Sequence, residues 1–184
     1  MSQLILFNMM TIDGFFEGPD HELDWHQVES EFNQFAIEQL DSAGALIFGR
    51  ITYELMASYW PTTGATKDDP DVAYRMNTIP KIVFSTTLES ADWTNTELKK
   101  SIVKEDIEKL KQRSGKDIFI LGSANLASTF RQLGLIDEYR VMVNPIILGK
   151  GNPLFPNSDK RENLSLYNSR TFHNGNVLVI YRKA

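Results

Sequence analysis

At 184 residues, 42 % of them hydrophobic and 23 % charged, the chain suits one globular domain over residues 1–184 and excludes a disordered polymer. A net charge of −5 argues against general nucleic-acid binding, and zero cysteines remove disulfides, thiolate catalysis and cysteine-ligated zinc. No apolar run reaches the roughly 18 residues a membrane span needs, and the opening MSQLILFNMMTIDG lacks the basic region of a signal peptide, so a cytoplasmic protein is expected.

Taken in chain order, the apolar run Gln3–Met10 ends at Thr-Ile-Asp-Gly and reads as a buried strand. Asp24 with Gln27 forms a capping box, which predicts a helix through about Leu40 carrying Val28, Phe32, Phe35, Ile37 and Leu40. Ala45–Phe48 is a second buried strand, and Gly49 turns it into a helix from Ile51 to about Tyr59, closed by Pro61. The polar run Thr62–Asp71 reads as an exposed loop, and Lys81–Ser85 as a third strand. An amphipathic helix at Glu105–Gln112 ends near Ser114-Gly115, followed by a strand at Asp117–Leu121 and a helix at Ala124–Leu133 capped by Gly134. From Asp137 the rhythm changes to strands at Tyr139–Leu148, Leu164–Phe172 and Asn176–Arg182, with Asn174-Gly175 as a two-residue hairpin signal and Gly149-Lys150-Gly151 as a strand-end turn. Strands alternating with helices, then a terminal hairpin, predict an α/β fold. Its sheet is mixed and mostly parallel, with helices on both faces and a C-terminal antiparallel hairpin.

Ligands of such sheets bind beyond the carboxyl ends of the strands, where helices begin. Three turns there carry small or hydroxyl residues. Phe48-Gly49-Arg50-Ile51-Thr52 offers a close backbone approach, a guanidinium and a hydroxyl. Phe84-Ser85-Thr86-Thr87 offers hydroxyls, and equally suits a simple capped turn. Leu121-Gly122-Ser123-Ala124-Asn125 resembles a turn that seats a pyrophosphate on a helix N-terminus, although it is not GxGxxG.

With these turns in this order, the chain resembles the dihydrofolate reductase fold. Within that fold it is most similar to the family that holds the reductase domain of riboflavin-biosynthesis deaminase-reductases, in its small stand-alone bacterial form. The matching pieces are TIDGFFEG, LIFGRITYELM, KIVFSTTL, IFILGSANLASTF and GLIDEYRVMVNPIILGKGNPLF, which run over nearly the whole chain. The resemblance implies NADPH across the strand ends and reduction of a small heterocycle, such as 5-amino-6-(5-phosphoribosylamino)uracil. Dihydrofolate reduction, or dinucleotide binding without turnover, is the alternative. It implies that Gly49, Arg50 and Thr52 meet phosphates and the adenosine side. Ser85 and Thr86 would sit by the 2′-phosphate, and Gly122, Ser123, Ala124, Asn125 and Leu126 would hold the pyrophosphate. Met10, Thr11 and the loop through Gly18 would cover the nicotinamide as a gate. A homodimer through the C-terminal strands is implied as well.

Dihydrofolate reductases carry an acid on the first helix, and counting back from Gly49-Arg50 puts that position near Asn33. Glu31 supplies the carboxylate if the helix is shifted by two residues, and is otherwise an exposed helical glutamate. Riboflavin-type reductases carry Asp-Gly in the first loop, which Asp13-Gly14 matches; Asp13 there either orients a polar group of the substrate or forms a turn. Trp25, Phe32, Tyr53, Met56 and Trp60 are candidate walls for a planar ring, with core packing as the alternative for all five and the favoured one for Phe32 and Met56. His21, His26 and His173 fit no common ligand spacing, so no metal is expected.

Overall fold

The computed structural model describes residues 2–156 and 161–184. The first half runs β1 (Leu4–Thr11), β2 (Phe15–Glu17), α1 (Ser30–Asp41), β3 (Ala43–Gly49), α2 (Arg50–Tyr59), α3 (Thr63–Asp68), α4 (Pro70–Thr78) and β4 (Lys81–Phe84). The second runs β5 (Thr96–Lys99), α5 (Lys104–Ser114), β6 (Asp117–Leu121), α6 (Ala124–Gln132), β7 (Glu138–Asn144), β8 (Asn152–Pro153), β9 (Leu164–Thr171) and β10 (Val177–Lys183). No helix among the described residues is long and apolar enough to cross a membrane.

Eight strands form one sheet in the order β5-β4-β3-β6-β1-β7-β10-β9, and β2 pairs with β8 in a separate ribbon. Pairing is parallel from β5 to β7 and antiparallel from β7 through β10 to β9, as expected. The central strands are apolar on both faces because helices cover both. Leu4, Leu6, Ile47, Ile118 and Ile120 pack toward Ile107 of α5 and Phe130 of α6. Ile5, Leu46, Phe48 and Phe119 pack toward Leu40 of α1, Tyr53 of α2 and Met76 of α4. In the sheet β6 lies between β3 and β1, and a crevice opens at the carboxyl ends of these three strands.

Four expectations are corrected. The first helix begins at Ser30, not at the Asp24 box. Trp25 is drawn into a core with Met9, Phe35, Met142 and Phe172, while the Gln27 carbonyl is held by the Asn174 and Asn176 side chains, and neither contact suits a helix. Thr62–Asp71 is not a loop. Thr62 Oγ1 accepts the Ala65 N–H to cap α3, and Pro70 opens α4, whose Val72, Ala73 and Met76 are buried. The short strands β2, β5 and β8 had no local signal. Finally, Phe172 N–H donates to Asn176 O, so His173-Asn174-Gly175 closes the β9–β10 hairpin as a three-residue loop, with Gly175 at φ +88.

Lys81 is 1 % exposed, and its ammonium stands where α4 ends. It donates to the carbonyls of Met76 (2.9 Å) and Ile79 (2.8 Å), and it lies 4.5 Å from the Trp93 ring centroid. Helix C-termini leave such carbonyls without partners, so a strand residue here caps a helix. Burial pushes the amine down to about 8.

Candidate functional site

The β3–α2 and β6–α6 turns meet side by side. Ser123 Oγ accepts the Gly49 N–H at 2.9 Å and donates to Thr52 Oγ1 at 2.8 Å. Gly122 and Ser123 are both left-handed, at φ +64 and +61, and a Cβ on Gly122 would stand 2.9 Å from Thr52 Oγ1. Glycine is therefore required by conformation and by space. A cleft of about 540 Å³ opens over these turns, lined by Gly49, Arg50, Thr52, Ser123, Ala124, Asn125 and Leu126 among others. The N–H groups and dipole of α6 favour an anion there. Arg50, half-exposed, pairs with Glu54 at 2.9 Å.

The third turn behaves differently. Ser85 is buried, and its hydroxyl accepts the N–H groups of Thr87 (3.2 Å) and Leu88 (3.0 Å). Thr86 is exposed. Phe84 lines the cleft, neither hydroxyl residue is among its lining, and the serine caps its own turn.

The loop after β1 is clasped rather than loose. Thr11 Oγ1 donates to Asp13 Oδ1 at 2.6 Å and accepts the Phe15 N–H, and Asp13 also accepts the N–H groups of Leu148 (3.2 Å) and Gly149 (2.7 Å). The Thr11 hydroxyl and then these backbone donors hold the Asp13 carboxyl below its ordinary range. A Cβ on Gly151 would lie 2.5 Å from the Glu17 carbonyl, so β8 can lie against β2 only through glycine. Met10, Thr11 and Gly18 line neither this cleft nor the one described next; the loop contributes Phe16 and Glu17 to both.

That second cleft, of about 410 Å³, lies between α1 and α2 at the ends of β1 and β6. It shares Phe16, Glu17, His21, Ile51 and Thr52 with the first, so the two are continuous. Phe32 and Met56 line it as expected residues of a ring-binding wall, with Trp60 beside them donating Nε1–H to Met56 Sδ at 3.1 Å. Trp25 and Tyr53 do not line it. Trp25 is core, and Tyr53 is buried with its hydroxyl accepting the Trp93 N–H. Gly122 lines this cleft rather than the first.

Neither expected catalytic carboxylate lines either of these two clefts. Asp13 clasps two loops. Glu31 accepts from the backbone and ring nitrogens of His173, both at 2.9 Å, and from Arg170 at 3.5 Å, and so straps α1 to the β9–β10 hairpin. The His173 backbone N–H, then its ring, hold the Glu31 carboxyl below its ordinary range. Sequence reasoning missed Asp69 and the polar role of His26. Asn33, at the position counted for the helix acid, donates Nδ2–H to Asp69 Oδ1 at 2.7 Å. Both line the second cleft, as does His26, whose Nε2 is buried without a hydrogen-bond partner among the described residues. Burial pushes the His26 imidazole down to about 4. The dipeptide Asp69-Pro70, a helix-start signal, was the available clue to Asp69.

Comparison with known proteins agrees with this geometry. A family model described as the RibD C-terminal domain matches residues 2–178. The Bacillus subtilis (strain 168) protein YyaP is 35 % identical over 181 residues, 97 % of this chain and 94 % of that one. Two solved structures share the fold at low identity. One is a diaminohydroxyphosphoribosylaminopyrimidine deaminase/5-amino-6-(5-phosphoribosylamino)uracil reductase from Thermotoga maritima, with TM-score 0.69 and 16 % identity over 100 % of this chain and 57 % of that one. The other is dihydrofolate reductase from Enterococcus faecalis, solved with NADP(H), with TM-score 0.65 and 14 % identity over 98 % and 96 % of the two chains.

Proposed function

The chain belongs to the RibD C-terminal domain family, a family of reductase domains, and from that premise we propose that it is an NADPH-dependent reductase of a small planar heterocycle of the riboflavin-precursor type. The observation that carries this reading is the continuity of the two clefts. A groove built for phosphates opens, through Ile51 and Thr52, into a slot walled by apolar side chains.

The residues fit a dinucleotide. Ser123, Ala124 and Asn125 line the groove where a pyrophosphate would sit, α6 presents its N-terminal N–H groups, and Arg50 supplies a cation at the start of α2. When bound, NADPH supplies a hydride; the protein's part is position, polarity and exclusion of water. Gly49, Thr52 and Ser123 fix the relation of the two phosphate turns. Phe16 and Glu17, on the ribbon of β2 and β8, border both ligands, and Phe32 and Met56 shape the slot for the ring.

The reading extends to a cytoplasmic homodimer formed by residues 1–184. It is supported by β9, an edge strand with Leu164, Leu166 and Tyr167 exposed, which offers unpaired backbone groups to a second copy. Absorbance at 340 nm tests the activity. Loss of NADPH with an aminouracil riboflavin precursor supports the proposal, and loss with dihydrofolate alone moves it to the dihydrofolate class. Tight NADPH binding without turnover on either makes the chain a dinucleotide-binding protein.

A further inference from the structure

We infer that Asp69, positioned by Asn33, is the substrate-orienting carboxylate of the apolar cleft, and that it selects planar rings presenting N–H donors and carrying no phosphate. This rests on the reading of the second cleft as the ring site, and it deepens that reading by naming the substrate class.

Asp69 occupies the N-cap of α4, where an aspartate ordinarily accepts the N–H of the second or third helical residue. Here it makes no such bond. The side chain forgoes the cap because it is held elsewhere. What holds it is Asn33 Nδ2, 2.7 Å from Oδ1, reaching from α1. Among the described residues Oδ2 receives no donor, and the carboxylate lines the cleft. An ionised carboxylate with free lone pairs is an acceptor for amino or amidine N–H groups, and one with a fixed partner accepts in a fixed direction.

The rest of the cleft agrees. Val28, Ile51, Leu55 and Tyr59 line it while being 41–50 % exposed, an apolar rim that suits the faces of a ring. His26 adds a polar atom, Nε2, buried and unpartnered among the described residues. The charged residues are Glu17 and Asp69; none of the described lining residues is Lys or Arg. A phosphate arm would meet Asp69, and Glu17 with its paired His21, but no lysine or arginine, whereas a neutral or cationic ring meets an acceptor. The cation of the neighbouring cleft, Arg50, lies with the dinucleotide groove.

Isothermal titration of the NADPH-loaded protein tests this with three probes: 2,4-diaminopyrimidine, the ribosylamino form of 5-aminouracil, and the 5′-phosphate of that form. The wild type binds the diaminopyrimidine, and it binds the ribosylamino form at least about 10-fold more tightly than its 5′-phosphate. Asp69→Asn weakens the diaminopyrimidine at least about 10-fold and leaves NADPH affinity unchanged; Asn33→Ala acts in the same direction, less strongly. Equal or tighter binding of the phosphorylated form, unchanged affinity in Asp69→Asn, or no ring binding at all overturns the inference. The comparison of phosphorylated and unphosphorylated probes needs only wild type, so a misfolded variant does not block it. Failure of NADPH itself to bind strikes the cofactor reading instead, and the same titrations without NADPH then decide the ring site.

Discussion

Ser123 donates its hydroxyl proton to Thr52 across 2.8 Å while accepting the N–H of Gly49, so one oxygen joins the starts of α2 and α6. Ser123→Ala removes both bonds and strands a backbone donor. A cost of about 1 kcal/mol is expected, lowering Tm by about 2–4 °C for a chain of this size, together with several-fold weaker NADPH binding. Thermal melts and titration calorimetry read the two effects, and an unchanged NADPH affinity would detach this bridge from the ligand.

NADPH differs from NADH by one phosphate, so preference must come from a group beside it. Arg50 is the lining cation of the cleft proposed for the dinucleotide, among the described arginines and lysines, and its exposed pair with Glu54 is easily exchanged. Arg50→Ala should weaken NADPH by about 10- to 150-fold and leave NADH nearly unchanged, the range set by one charge-assisted hydrogen bond. Equal affinity of the wild type for both dinucleotides would sink this assignment.

Glu31 straps α1 to the hairpin, so Glu31→Gln should lower stability and leave kcat within about two-fold of wild type. Its folded carboxyl titrates below its unfolded one. Its stabilisation is therefore present at neutral pH and disappears as pH falls through the folded value. Denaturant melts of wild type and Glu31→Gln should differ at pH 7 and converge in acid. A large loss of kcat with an unaltered melt would restore a catalytic role.

His26 adds to the same loss of stability in acid, from the side of a group that must gain a charge. Its folded value, about 4, lies below the ordinary 6.5, so between these the unfolded chain binds a proton that the fold refuses. Stability should fall as pH drops from about 6.5 to about 4, by no more than about 3 kcal/mol from this group. His26→Gln should flatten that part of the profile. A variant as acid-sensitive as wild type would show that other groups carry the response.

How far the sequence reached follows from the range of the forces involved. Asp117–Leu121 was legible residue for residue because a strand buried on both faces is a continuous apolar run. The strand-to-helix turns at Gly49-Arg50 and Gly122-Ser123 were legible because glycine and hydroxyl residues between an apolar run and a helix are a local signal. The α3–α4 region was read as a loop because its composition is polar, although Thr62 and Asp69-Pro70 carried helix-start chemistry. The Asp24 box failed when burial of Trp25 outweighed a cap. Asp69 and Asn33 are 36 residues apart, and only the packing of α1 beside α4 brings them together. Asp13 and Glu31 had suitable chemistry and the wrong surroundings, since backbone donors from distant turns claim their oxygens.

The buried ammonium of Lys81 has a mechanical counterpart at the far end of the helix it caps. α4 is a rod of nine residues, about 13 Å long, gripped at its C-terminal carbonyls by a side chain rooted in β4. Asp69 stands at the other tip of that rod, held by Asn33 of α1. The rod is thus pinned at both ends, to the sheet through Lys81 and to α1 through Asn33, and the stiffness of these two pins sets the aim of the carboxylate.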